Sequence, residues 1–159
     1  MKQIRQSLPI VIALVAFALT CSAAFAADQK GELPAPVKAV YDHYISIQQE
    51  LAKDSTKGVS ENANAIATTV KNGDVKGMSS EIGSQAEAVA NAKDIKTARQ
   101  AFKPLSASMA KYLSDHKLGK GTYHEAYCPM AKANWLQTGK EVRNPYYGKS
   151  MLDCGELRN

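Results

Sequence analysis

Aromatic side chains are scarce in this chain, at 7% of 159 residues with one Trp and three Phe. Any core must therefore be mostly aliphatic, and a hydrophobic content of 45% is enough to close one of modest size. An excess of one charge is lacking too. Lys plus Arg number 20 against 15 Asp plus Glu, a formal +5, and no basic stripe gathers that excess, which excludes a nucleic-acid partner. Long apolar runs are confined to Ile10–Leu19. Nothing downstream approaches the roughly 20 apolar residues that a membrane span needs. Catalytic signatures are missing as well. No nucleophile elbow, His-Glu-x-x-His, P-loop or paired-carboxylate motif occurs, and one turn of proximity between His124 and Cys128 is weak support for a thiol nucleophile. The expected class is not an enzyme.

The N-terminus carries a three-part signature. Lys2 and Arg5 form a basic segment, Ile10–Leu19 an apolar one, and Ala24-Phe25-Ala26 a small-x-small cleavage site. Residues 1–26 thus read as a secretory signal peptide cleaved after Ala26. The apolar run is short for an uncleaved anchor, and Ala18-Leu19-Thr20 before Cys21 is a poor match to a lipoprotein site. Processing removes Lys2, Arg5 and Cys21, so the formal charge falls by two. Cys128 and Cys154 remain, in a compartment that permits disulfides.

Past the signal, composition divides the chain into a part rich in Ala, Lys, Ser, Gln and Val (27–118) and a part rich in aromatics, Gly and sulfur (119–159). The first reads as four helices. Pro34 and Pro36 suit a helix start, and Val37, Val40, Tyr41, Tyr44, Ile47 and Leu51 recur at steps of three and four. Asp54-Ser55-Thr56 offers caps for a second stripe of Val59, Ala63, Ile66 and Val70, stopped at Asn72-Gly73. Met78, Ile82, Val89 and Ala92 make a weaker third stripe. Asp94 caps the fourth, which carries Ile95, Ala98, Phe102, Leu105, Met109 and Tyr112 and contains Pro104, expected to bend it. Short connections predict an all-α fold, an antiparallel four-helix bundle with an irregular, aromatic- and sulfur-rich C-terminal cap packed on it as one domain. The inward positions are apolar, which makes the bundle a scaffold. His43 and His116 read as surface residues, and Met78 and Met109 as core.

Chemistry concentrates in the cap. Cys128 and Met130 flank Pro129, and Met151 precedes Cys154-Gly155. Asn144-Pro145 and Gly148 allow the chain between these two clusters to fold back. Thiolate plus thioether is a soft donor set that favours Cu(I) or Ag(I) over Zn(II). His124, four residues before Cys128, would share a face with it on a helical turn and is an auxiliary ligand candidate. A Cys128–Cys154 disulfide is an equally good reading of the same spacing. It would close a loop worth about 3.5 kcal/mol in the chain-entropy model, with the methionines as packing residues. A reversible pair would accommodate both, binding metal when reduced and closing when oxidised.

At these residues the chain resembles a bacterial periplasmic domain family of unknown function that also occurs fused to the adaptor subunits of copper and silver efflux pumps. The blocks that carry the resemblance are Tyr44-Ile45-Ser46-Ile47-Gln48, Leu51-Ala52-Lys53-Asp54-Ser55, Arg99-Gln100-Ala101-Phe102, Tyr127-Cys128-Pro129-Met130-Ala131, Trp135-Leu136, Arg143-Asn144-Pro145-Tyr146-Tyr147-Gly148 and Met151-Leu152-x-Cys154-Gly155. The gap Lys132-Ala133-Asn134 is shorter than in many relatives, and Gln137 stands where Ser is common. The resemblance implies metal ligation by Cys128, Met130, Met151 and Cys154, and a periplasmic protein in its stand-alone form. Trp135 is expected to pack beside the sulfurs, chiefly as a hydrophobic anchor, with Arg143, Asn144 and Tyr146 supporting the ligands. The expected function is Cu(I)/Ag(I) sequestration or transfer, with an efflux adaptor or metal chaperone as partner. The alternative is a disulfide-stapled helical interaction module without metal.

Overall fold

Apolar residues at steps of three and four wind four stretches into helices: α1 (Ala35–Ala52), α2 (Val59–Lys71), α3 (Ser80–Ala90) and α4 (Ile95–Asp115). The computed structural model describes residues 31–158, so the signal-peptide reading of residues 1–26 lies outside the described residues. The marked stripes face inward. Val37, Val40, Tyr41, Tyr44, Ile47 and Leu51 are buried on α1, and Ala98, Phe102, Leu105, Met109 and Tyr112 on α4. A capping box starts α4: the Asp94 carboxylate accepts the Thr97 N–H at 2.7 Å and the Thr97 hydroxyl accepts the Asp94 N–H at 3.2 Å. Pro104 lies inside α4, which runs on through it to Asp115. The N-cap of α2 is Gly58 rather than the Asp54-Ser55-Thr56 cluster. Asp54 is engaged elsewhere, with Arg99.

The C-terminal part is not an irregular cap, and the fold is not all-α. Strands β1 (His124–Cys128), β2 (Ala133–Gln137) and β3 (Glu156–Arg158) form an antiparallel sheet in the order β2-β1-β3. Four helices plus this sheet make a mixed α/β domain. The physical reason for the correction is local. Pro129–Lys132 is a tight reversal, closed by a bond from the Lys132 N–H to the Pro129 carbonyl at 3.2 Å with Lys132 at φ 49°. It joins two five-residue runs whose Tyr127 and Trp135 suit a pleated surface.

The sheet belongs to the same core as the helices. Trp135 and Leu136 of β2 join Phe102, Leu105, Tyr44 and Ile47 in one hydrophobic cluster, and β2 packs on α4 and α1. As an edge strand β2 has outward backbone groups that need partners. Two tyrosines supply them. The Leu136 N–H donates to Tyr44 Oη at 3.0 Å, and Tyr146 Oη donates to the Asn134 carbonyl. Tyr44 also shares a 2.7 Å hydrogen bond with Ser106 of α4 and stacks on Phe102 at 5.0 Å. One side chain thus ties α1, α4 and β2 together.

Candidate metal centre

The sheet register brings the two cysteines together. Tyr127 pairs with Glu156 across β1 and β3, so one step further sets Cys128 opposite Gly155 and beside Cys154. Their Sγ atoms lie 3.0 Å apart as free thiols. Cys128 is fully buried, whereas Cys154 is half-buried at the surface end of the pair. A disulfide needs about 2.05 Å between sulfurs. Two thiolates on one tetrahedral ion, at metal–sulfur distances near 2.3 Å, sit about 3.8 Å apart. The observed spacing falls between the two, within about 1 Å of either.

Backbone polarity favours one thiolate. Burial pushes the Cys128 thiol up, but hydrogen bonds from Cys154, the Ala131 N–H at 3.4 Å, Asn144 and the Met130 N–H outweigh it and hold Cys128 below the ordinary thiol value. Cys154, the donor to Cys128, is raised, with its own desolvation and the Cys128 and Asp153 charges acting in the same direction. The turn that reverses the chain at Pro129 is also what aims the Ala131 N–H at the sulfur.

The loop between β2 and β3 is held by Asn144. Its N–H donates to the Leu152 carbonyl and its Nδ2 to the Cys154 carbonyl, both at 2.7 Å, while its Oδ1 accepts the Tyr146 N–H at 2.8 Å. Trp135 lies behind the pair, edge-on to Tyr146 at 5.8 Å. Gly155, at φ +146°, leaves the space this needs, since a Cβ there would come within 2.8 Å of the Trp135 ring.

The expected site residues divide accordingly. Cys128 and Cys154 meet. Met130 follows Cys128 in the reversal with its side chain exposed, and Met151 is half-buried with its carbonyl accepting the Cys154 N–H at 3.2 Å. Asn144 holds the Cys154 carbonyl, Trp135 packs against Gly155, and Tyr146 lies edge-on to Trp135. Arg143 does not support it through its side chain, which is exposed; its backbone is what is fixed, the N–H to Gln137 Oε1 and the carbonyl to Gln48 Nε2. His124 lies at the other end of β1 from Cys128. It shares a strand face with Cys128 rather than a helical one, and four residues of strand separate them by about 13 Å.

Residues outside the sulfur blocks position the loop as well. Arg99 of α4 donates from Nε to the Pro145 carbonyl and from Nη2 to the Leu51 carbonyl, both at 2.8 Å, and pairs with Asp54 at 2.6 Å. That guanidinium and the Lys149 N–H hold the Asp54 carboxyl below its usual value. Gly148 packs so closely against Asp54 and Arg99 that a Cβ would collide with both. Gln137 is a second hub, accepting from Trp135 Nε1 at 2.9 Å and donating to the Gly139 and Glu141 carbonyls. An Arg in the resembling block and a Gln in place of Ser were the available signals; neither says what the side chain touches.

Fold and site together define a small helix-and-sheet domain with a thiol pair at the junction. The chain belongs to the family described as a protein of unknown function (DUF3347), whose model matches residues 40–121. The matched stretch runs from α1 to just past α4 and ends before β1, so the sulfur residues lie beyond it. No curated protein and no solved structure matches the chain.

Proposed function

We propose that this is an exported, periplasmic protein that binds Cu(I) or Ag(I) through Cys128 and Cys154, with Met130 and Met151 as thioether donors, for sequestration or transfer to an efflux system. The observation that supports this most is the pairing of two free thiols, one of them favoured as thiolate. A buried thiolate is the donor a soft cation takes up, and its site is shaped by backbone N–H groups and by Asn144. Met130 and Met151 stand two and three residues from the thiols in the chain, and their thioethers would complete a soft donor set. When bound, the ion would neutralise the thiolate charge; the chain's own residues hold the sulfurs in place and exclude water through Trp135 and Tyr146. The resemblance to domains fused to efflux adaptors supports an adaptor or metal chaperone as partner. No catalytic step is assigned.

Anaerobic titration of the reduced protein with Cu(I) against a competing chelator tests the proposal. Cys128→Ser and Met151→Leu are expected to weaken binding; if both compete as well as the parent, the site is wrong. The 3.0 Å sulfur separation also supports a second reading, a Cys128–Cys154 staple in a helical interaction module. Intact mass before and after alkylation separates them, because a staple leaves no thiol to alkylate.

A further inference from the structure

The four sulfurs of the proposed site are unequally placed. Cys128 is fully buried, Cys154 and Met151 are half-buried, and Met130 is 66% exposed, the one large hydrophobic side chain so exposed among the described residues. Its backbone, by contrast, is fixed. The next residue, Ala131, donates its N–H to the Cys128 sulfur at 3.4 Å, the Met130 carbonyl accepts Tyr147 Oη at 3.1 Å, and the Lys132-to-Pro129 bond closes the turn around it. A flexible thioether is therefore anchored at its Cα next to the buried thiol and free at its tip. Building on the metal-binding reading above, we infer that of its two thioether donors Met151 stays on the bound ion, whereas Met130 is the exchange ligand of the site and engages the ion in transit. It captures a soft monovalent cation from an incoming sulfur- or nitrogen-bearing carrier and passes it to the thiols, and it works in reverse on release.

The chemistry suits a thioether. A thiol must lose its proton before it binds metal and regain one on release, whereas a thioether has no proton to move. Met130 can thus bond to the ion while the ion still holds a carrier ligand. The carrier bond then breaks as the Cys128 and Cys154 sulfurs bond, and their protons pass to solvent. The cation keeps its oxidation state throughout. The dissociation constant is the ratio of release to uptake, so a residue that serves exchange alone speeds both, and its loss slows both while leaving the ratio in place.

The test is stopped-flow transfer of Cu(I) from its bicinchoninate complex to the reduced full-length protein, and back, with the equilibrium position read on the same samples. Met130→Leu is expected to slow both directions about tenfold and to shift affinity less than about threefold. Met151→Leu, the half-buried counterpart, is expected to speed release and leave uptake near the parent's. Exchange rates unchanged in Met130→Leu overturn the inference. So does a loss of affinity in proportion to slower uptake, which makes Met130 a resident ligand. A parent protein that takes no Cu(I) overturns the metal reading itself, and is told apart by its lack of any transfer.

Discussion

Removal of one hydroxyl, in Tyr44→Phe, tests the joint between helices and sheet. The ring remains, so its stack on Phe102 at 5.0 Å is kept. What is lost is the acceptor for the Leu136 N–H at 3.0 Å and the partner of Ser106 Oγ at 2.7 Å, both in the interior. A buried donor left without a partner costs about 1–3 kcal/mol. Ser106 can recover part of its loss by turning to a carbonyl of its own helix, as mid-helix serines do. The expected total is about 2–3 kcal/mol, a large share of the stability of a domain this size. Urea unfolding read by the fluorescence of Trp135, the one tryptophan, measures it directly, since that residue neighbours Leu136 in β2. Ser106→Ala in the Tyr44→Phe background should cost about 1 kcal/mol less than it does alone. A loss under about 0.5 kcal/mol, with the two substitutions additive, would refute the view that Tyr44 satisfies the buried outer edge of β2.

Three further outcomes follow from the site. Gly155→Ala should cost about 1–3 kcal/mol in urea unfolding, because φ +146° and the 2.8 Å approach to Trp135 leave no place for a Cβ; near-ultraviolet circular dichroism should show the tryptophan displaced. Arg99→Ala should cost about 1–3 kcal/mol by orphaning the Pro145 carbonyl and taking from the Leu51 carbonyl one of its donors, the Asp54 N–H remaining, and proteolysis should then cut the loop around Pro145 before the helices. The thiols should titrate as a coupled pair on either side of 9.0, visible as two steps in thiolate absorbance, with Cys154→Ala moving the Cys128 step upward. The corresponding stability has two signs. Cys128, lowered, contributes fully above 9.0 and loses that contribution as pH falls through its folded value. Cys154, raised, contributes below 9.0 and loses it as pH rises through its folded value. Reduced protein should therefore gain stability toward pH 9 and lose it beyond.

The helices were legible because a buried helical stripe repeats along many residues. Val40, Tyr44, Ile47 and Leu51 announce α1 without ambiguity, and Asp94 announces the start of α4. The strands were not, for they are three to five residues long and β2 is buried at Ala133, Trp135, Leu136 and Gln137, which erases the alternation. A spacing of four places two residues on one side of a strand as well as of a helix. That is how His124 was credited to the site: the shared face is there, but the distance on a strand is more than twice that on a helix. The sulfur clusters could be found because turn residues stood between them. The contacts that hold their loop, from Arg99, Asp54, Gln48 and Gln137, join positions up to 95 residues apart, and no local pattern encodes such a pairing.

Metal content and thiol state, measured on one and the same native preparation purified without reductant or chelator, test the central claim most directly. The account predicts copper or silver carried with the protein and, after metal removal under anaerobic conditions, both Cys128 and Cys154 open to alkylation in the intact mass. Protein without either metal, in which neither thiol reacts until a reductant is added, would contradict it.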